Sequence, residues 1–171
     1  HLDDGVGQVV GKLKREGLFD NTILFFLTDN GGSKAMSADN SPLRGFKGSL
    51  EEGGIRTPFI VSWPAKFSGK RTIDTPVISL DILPTALDAV GAQPPTEHAF
   101  DGRSLLPLLT GESKTHHDTL FWCKEGDEWA VRRGDWKLRS AKGSIELFNL
   151  AEDMSESTDL VDRQPEMVRT L

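Results

Sequence analysis

Two residues at the end of an apolar run have side chains that bind hard cations. Asp29 and Asn30 follow the run Thr22–Thr28, and Gly31 and Gly32 come directly after them. Carboxylate and amide oxygens suit calcium or magnesium rather than zinc or copper, and glycine lets the backbone turn tightly beside an ion. A simple turn explains the same residues, because Asp, Asn and Gly are the commonest turn formers. Taken alone, this stretch favours a turn over a metal site.

Lys47 lies in a second stretch, whose composition suits a small anion. Its ammonium group offers a compact cation to sulfate or phosphate, and glycines around it would let the backbone approach the ligand closely. These glycines are at positions 45, 48, 53 and 54. Considered without its neighbours, Lys47 is most simply a solvated loop lysine. Arg44 and Arg56 could also contact an anion, but structural ion pairs with Glu51 or Glu52 are the favoured interpretation.

Hydrophobic periodicity predicts the elements that would position these residues. Apolar residues at helical spacing predict an amphipathic helix from Leu2 to Gly17. The run Thr22–Thr28 predicts a strand buried on both faces, as in a parallel sheet. A helix followed by a buried strand is typical of an α/β fold, in which ligands bind beyond the carboxyl ends of the strands. Residues 31–54 predict a long loop, a feature that is usually functional or disordered, and Ile55–Trp63 predicts a second strand.

The rest of the chain predicts one more helix and then a small sheet. A helix is expected over residues 77–90, with Asp81 as its cap and Pro84 in its first turn. After Gly111, four short segments separated by turns predict an antiparallel meander. Gln164–Leu171 predicts a closing helix.

Composition and charge argue against several classes of protein. The 171 residues carry a net charge of -6, with acidic and basic residues mixed, whereas a nucleic-acid binder would show a basic patch. No run approaches the roughly 18 apolar residues that cross a bilayer. The single cysteine, Cys123, excludes an internal disulfide and a cysteine-rich zinc site, and we predict it to be an inert packing residue in a strand. His98, His116 and His117 fall in connecting segments, where a solvated loop is favoured over a metal site.

Three motifs occur in a fixed order around the candidate residues. They are Asp-Asn-Gly from Asp29, Arg-Gly-x-Lys-Gly from Arg44 and Glu-Gly-Gly-x-Arg-x-Pro from Glu52. In this order and spacing they resemble the sulfatase family of the alkaline-phosphatase-like superfamily. The resemblance continues through three later segments, Ser79–Thr85, Asp101–Leu109 and Glu146–Leu150.

This resemblance implies an α/β fold that is part of an alkaline-phosphatase-like sandwich. A largely parallel sheet would be followed by a small C-terminal antiparallel sheet and helix. Residues 1–112 would form the C-terminal part of the catalytic domain, and residues 113–171 a small antiparallel β subdomain. Because a helical pattern begins at His1 without a leader, we expect a chain cut at its front end. The family resemblance implies a periplasmic or extracellular location.

The resemblance also implies roles for three residues. Asp29 and Asn30 match the second pair of calcium ligands, and Lys47 matches the lysine that contacts the sulfate. The family's nucleophile is a formylglycine made from the Cys or Ser of a Cys/Ser-x-Pro-x-Arg motif. Neither that motif nor the first acidic metal pair occurs in this sequence. The chain is therefore expected to be a fragment of a sulfuric ester hydrolase, inactive without the N-terminal half of the same enzyme.

The substrate class and two other functions stay open on the sequence alone. A sulfate ester is expected, with sulfated carbohydrates among the candidates. Relatives in the superfamily with similar calcium or manganese sites cleave phosphate or phosphonate monoesters, so such a hydrolase is the first alternative. A noncatalytic binding or structural module that kept the loop without the chemistry is the second.

Overall fold

A computed structural model of the chain describes residues 1–67, 69–93, 97 and 99–171. The helices in these ranges are α1 Leu2–Arg15, α2 Glu52–Ile55, α3 Ile82–Ala89, α4 Leu106–Thr110 and α5 Pro165–Thr170. The strands are β1 Leu24–Leu27, β2 Phe59–Ser62, β3 Thr119–Lys124, β4 Glu128–Arg133, β5 Trp136–Ala141 and β6 Ser144–Asn149. Among the residues described, no helix has both the length and the apolar character needed to cross a bilayer. His98, one of the histidines considered above, lies outside the described residues.

The charges at the two ends of α1 complement the helix dipole. Asp3 and Asp4 lie in its first turn, and Lys12, Lys14 and Arg15 lie in its last. Acidic groups near the first turn and basic groups near the last oppose the partial charges at the helix ends. Together with the spacing of the apolar residues, these charges account for the helix, and its prediction is confirmed.

β1 and β2 are hydrogen-bonded neighbours in a two-stranded sheet. All four side chains of β1 are half-buried. β2 begins at Phe59, so the prediction of a strand from Ile55 is wrong for its first four residues. The reason is local, because the amides of Gly54, Ile55 and Arg56 bond to carbonyls three or four residues back and close the helical turn α2.

Asp81 directly precedes α3, and Pro84 lies in the first turn of this helix as predicted. Asp81 is the N-cap residue of α3, as predicted, although its carboxylate makes no hydrogen bond to the amides of that helix. Its two oxygens instead accept the backbone N–H groups of Ile78 at 2.9 Å and Arg103 at 2.8 Å. Asp81 therefore ties the start of the helix to a segment 22 residues further along the chain.

The four-stranded sheet is the predicted antiparallel meander, with the strand order β3-β4-β5-β6. Three buried residues on its central strands and β6 form an apolar cluster, namely Val131, Leu138 and Leu147. Met167, Val168 and other residues near the carboxyl end of the chain pack against this cluster. The predicted closing helix, α5, is confirmed, and its apolar residues contribute to the core of the sheet.

Cys123 lies in β3, as predicted, but its side chain is exposed. The prediction that it packs in the interior is therefore wrong. β3 is an edge strand of the sheet, and Leu120 is its one buried residue, whereas Phe121 is exposed. An edge strand has a neighbour on one side only, so fewer of its side chains are covered than in a central strand.

Two compact units make up the described chain. One contains His1–Phe26 and Phe59–His117, and the other contains Leu27–Pro58 and Asp118–Leu171. The second unit thus combines the loop that carries the candidate residues with the antiparallel sheet. The predicted division between residues 112 and 113 stays a prediction.

Buried ion pairs attach the loop to the sheet within the second unit. Lys137 of β5 is fully buried, and its ammonium lies 2.8 Å from Glu52 Oε1 and 2.9 Å from Glu156 Oε1. The backbone N–H of Glu52 also donates to Glu156 Oε2 at 2.7 Å. Burial raises the pKa of Glu156, and the charge of Lys137 opposes that rise. One cation therefore neutralises two carboxylates that come from the loop and from the segment after β6.

Replacing Lys137 by Met is expected to destabilise the chain strongly, because Glu156 loses its cation and Glu52 loses the nearest of its cations. Removing one partner of a buried pair costs about 3–5 kcal/mol. Lys124→Met is the matched control, since Lys124 pairs with Glu128 at 2.9 Å in the same sheet but is 44% exposed. This change is expected to cost at most about 1 kcal/mol. Urea unfolding gives both values, and equal losses would contradict the role assigned to Lys137.

Candidate functional site

Asp29 and Asn30 lie one residue beyond the end of β1, at the start of the loop. Asp29 is exposed, whereas Asn30 is half-buried. Asn30 lines a small cavity of about 280 Å³ within the second unit. The residues around this cavity are Thr28, Asn30, Gly31, Gly32, Asn40, Leu43, Gly53, Arg56, Thr57 and Pro58. Three of the cavity-lining residues are glycines, so backbone groups contribute much of its wall.

Backbone hydrogen bonds fold the loop back on the segment after β1. The amide of Gly31 donates to Gly54 O at 2.9 Å, and the amide of Lys47 donates to Gly32 O at 2.9 Å. These bonds hold the main chain of Lys47 against the residue that lies two positions after Asn30. The Lys47 side chain is exposed. The fold thus brings together the two motifs that are separated by about fifteen residues in the sequence.

Asn40 organises the interior of this loop. Its Oδ1 accepts the amide of Gly32 at 3.1 Å, and its Nδ2 donates to the carbonyls of Gly32, Gly45 and Gly53 at 3.2, 3.0 and 3.1 Å. One side chain therefore joins three parts of the loop that are far apart in sequence. Asn40 was not predicted from the sequence, because a single Asn in a Gly-rich segment has the pattern of an ordinary turn residue.

Close backbone approach explains two of the glycines. A Cβ atom at Gly31 would overlap the carbonyl oxygen of Gly53, and one at Gly53 would overlap the carbonyl oxygens of Arg44 and Gly45. Any larger residue at these positions would push the two halves of the loop apart. The close approach seen here is of backbone to backbone, and the predicted approach of these glycines to a ligand stays a prediction.

The two arginines of the loop form the ion pairs that the sequence favoured. Arg56 Nη1 lies 3.6 Å from Glu52 Oε2, and Arg44 Nε lies 3.9 Å from Glu51 Oε1. The Glu51 carboxylate also lies 2.8 Å from Arg139 Nη1 of β5. Burial alone would raise the pKa of Glu51, but hydrogen bonding by Ser49 and the charge of Arg139 hold that pKa below its ordinary value. Glu51 therefore stays ionised and binds the loop to the sheet.

The donor chemistry of this site fits a hard cation. Asp29 offers a carboxylate and Asn30 an amide oxygen, which are the ligand types that calcium prefers. Calcium takes about six to eight oxygen ligands, so further ligands would have to complete the sphere. The calcium ligands and the role of Lys47 stay predictions.

A second cluster of polar side chains lies in the first unit. His117 Nε2 is 2.8 Å from Asp81 Oδ1, and His116 Nε2 is 3.2 Å from Asp81 Oδ2. The histidine side chains are 6% and 5% exposed, and Asp81 is fully buried. The expectation of a solvated loop for these two histidines is therefore wrong. The hydrogen bond to a carboxylate 36 residues away in the sequence accounts for the burial of His117, and no local motif indicates that pairing.

Two family models match the chain. One, described as Sulfatase, matches residues 1–92, and the other, described as N-sulphoglucosamine sulphohydrolase, C-terminal, matches residues 47–170. The steryl-sulfatase of Mus musculus is 36% identical over 149 residues, which cover 80% of this chain and 24% of that protein. A sulfatase of Formosa agariphila is 32% identical over 191 residues and covers 96% of this chain and 34% of that protein. The chain thus spans about a quarter to a third of the length of these relatives.

A solved structure has a closely similar fold. The crystal structure of Ps i-CgsB in complex with k-i-k-neocarrahexaose matches 96% of this chain with a TM-score of 0.90 and 31% sequence identity. The match covers 38% of that chain. The expected fold class, part of an alkaline-phosphatase-like α/β sandwich with a small antiparallel sheet, is confirmed.

Gly31→Ala is expected to open the loop, because the added methyl group overlaps the backbone of Gly53. Overpacking of this kind costs about 1–3 kcal/mol. Gly7→Ala is the control, since a Cβ there meets nothing within 4 Å and Ala in a helix is about 0.5–1 kcal/mol more favourable than Gly. Urea unfolding midpoints are expected to fall for the first variant and rise for the second. Two shifts of the same sign would contradict the packing described for the loop.

Proposed function

The chain belongs to the sulfatase family, and we propose that it supplies part of the active site of a calcium-dependent sulfuric ester hydrolase. Asp29 and Asn30 act as calcium ligands, and Lys47 contacts the sulfate. The observation that carries the proposal is the hydrogen bond from the Lys47 amide to Gly32 O, at 2.9 Å. It holds the main chain of Lys47 against Gly32, which lies two residues after Asn30.

Each residue would contribute charge and position to the reaction. Calcium, when bound, would draw negative charge from the sulfate group. The Lys47 ammonium would face a sulfate oxygen and stabilise the negative charge that develops as the S–O bond breaks. Asn40 would act through the backbone, since its four hydrogen bonds hold Gly32 and the loop on which Lys47 sits. Asn40 is therefore a positioning residue.

A sulfated carbohydrate is the proposed substrate class. The Ps i-CgsB structure contains a neocarrahexaose, and the second matching family model is named for N-sulphoglucosamine sulphohydrolase. Both names refer to sugars, and they support a sulfated carbohydrate as the substrate of this chain. The two family models do not favour the phosphate or phosphonate alternative.

The nucleophile of the proposed enzyme would come from the N-terminal half of the same protein. A formylglycine is expected there, since this sequence lacks a Cys/Ser-x-Pro-x-Arg motif. The chain by itself is therefore proposed to be inactive, although it would carry two calcium ligands and the sulfate-contacting lysine.

Lys47→Ala is expected to lower kcat for an aryl sulfate by about 10²–10³-fold, the effect of removing one donor that stabilises transition-state charge. The variant would be assayed in a complete enzyme, made by joining this chain to the N-terminal part of the Formosa agariphila sulfatase. Lys34→Ala is the matched control, because Lys34 is another exposed lysine of the same loop. We expect the control to keep kcat within about twofold. Equal rates for the two variants would remove Lys47 from the proposed site.

The isolated 171 residues are expected to release no product from the same aryl sulfate, with or without added calcium. The physical reason is the absence of the nucleophile motif from the sequence. Far-UV circular dichroism of the sample would establish that the chain is folded during the assay. Turnover by the isolated chain that Lys47→Ala abolishes would contradict the need for the N-terminal half.

A further inference from the structure

The cluster of Asp81, His116 and His117 has no part in the function proposed above. It lies entirely in the first unit, whereas the candidate calcium site lies in the second. Both imidazole Nε2 atoms converge on one carboxylate, and the three ligand atoms lie within 4.8 Å of one another. Among the residues that the structure describes, it is the one group of His, Cys, Asp and Glu side chains close enough to share an ion.

His116 Nε2 is a buried polar atom without a hydrogen-bond partner. It lies 3.2 Å from Asp81 Oδ2, but the geometry of the two groups does not make a hydrogen bond. His117, by contrast, bonds to Asp81 Oδ1 at 2.8 Å. An unsatisfied buried nitrogen costs about 1–3 kcal/mol. A hydrogen bond therefore explains how His117 Nε2 is buried, whereas the burial of His116 Nε2 is unexplained.

We propose that Asp81, His116 and His117 bind a divalent cation of the zinc class through the two imidazole Nε2 atoms and the carboxylate. Two histidines and one carboxylate are a donor set that zinc accepts, with ligand distances of about 2.0–2.2 Å. Tetrahedral bonds of that length place neighbouring ligand atoms roughly 3.4 Å apart. His116 lies 3.2 Å from one Asp81 oxygen and His117 lies 2.8 Å from the other. Since the three ligand atoms lie within 4.8 Å of one another, a bound ion would draw the widest pair together to reach this spacing.

The surroundings prepare these groups for a cation. The buried His116 side chain packs edge-on against the His117 ring, with the ring centroids 4.4 Å apart. Asp81 Oδ2 accepts the backbone N–H of Ile78 and Oδ1 accepts that of Arg103, which fixes the carboxylate. Oδ1 also bonds to His117, and a bound cation would take the place of that hydrogen bond. Such outer contacts orient the ligands in protein metal sites. The Arg103 guanidinium donates to His116 O at 3.0 Å and is the nearby positive charge.

The choice of zinc over calcium follows from the donors. Imidazole nitrogen suits zinc, copper, iron and nickel, whereas calcium selects oxygen ligands. The two sites should thus respond to different ions. An ion in this cluster would link the start of α3 to the segment before β3, which makes its expected effect structural.

The test is calorimetric titration of the metal-free 171-residue chain with Zn²⁺. We expect one equivalent to bind and to raise the melting temperature. His116→Gln and His117→Gln should each weaken binding at least about tenfold, since even loss of an outer-shell partner costs 10–100-fold. Gln keeps a hydrogen-bond donor for Asp81, so the fold should survive. Asp81 is left unchanged, because its bonds to Ile78 and Arg103 would be lost with it.

Two controls separate this site from others on the chain. His1→Gln should bind Zn²⁺ like the unchanged chain, since His1 lies at the exposed start of α1. Asp29→Ala should do so as well, so the result stands whether or not the proposed calcium site exists. Cobalt added in place of zinc should give a visible absorption band that the double variant His116→Gln/His117→Gln lacks. Equal zinc affinity of the double variant and the unchanged chain would overturn the proposal.

Discussion

The buried ammonium of Lys137 is the constraint on which the second unit depends. A buried cation is tolerated only when carboxylates neutralise it, and Lys137 has two, Glu52 and Glu156. Glu52 is the first residue of α2, so neutralising Lys137 also fixes the end of the loop that carries Lys47. The need of Lys137 for a neutralising carboxylate therefore fixes the position of the loop that ends at Glu52, although this loop is not part of the sheet.

Specific polar contacts within the loop extend this constraint to the proposed sulfate site. Gly31 and Gly53 allow backbone to pack on backbone, and Asn40 satisfies the carbonyls that this packing buries. A segment rich in glycine loses much conformational entropy on folding, and these contacts offset that loss. The result is a fixed backbone at the carboxyl end of β1, the edge at which open α/β sheets bind ligands.

Local patterns were sufficient to predict most elements of the fold. The helix α1, the meander β3–β6 and α5 follow from hydrophobic spacing and turn residues, and all three were predicted. The helical turn α2 was missed, since Ile55 continues an apolar pattern that is equally typical of a strand. Cys123 was placed inside because apolar runs do not distinguish an edge strand from a central one.

Only part of the candidate site could be predicted from the sequence, because the contacts that support it join residues distant in sequence. The pairing of the loop arginines with Glu51 and Glu52 is local and was predicted. The bond between Glu52 and Lys137 spans 85 residues, and the contact of His117 with Asp81 spans 36, so no motif reveals either. Order and spacing of three motifs, rather than any single residue, pointed to sulfate chemistry.

The central claim is that this loop serves the hydrolysis of sulfate esters. The most direct measurement is the ratio of kcat/KM for an aryl sulfate to that for the matching aryl phosphate, determined on the complete enzyme. The account predicts that the sulfate ester is the preferred substrate and that removing calcium with a chelator abolishes its turnover. Preference for the phosphate ester, or sulfate turnover that survives complete removal of calcium, would contradict it.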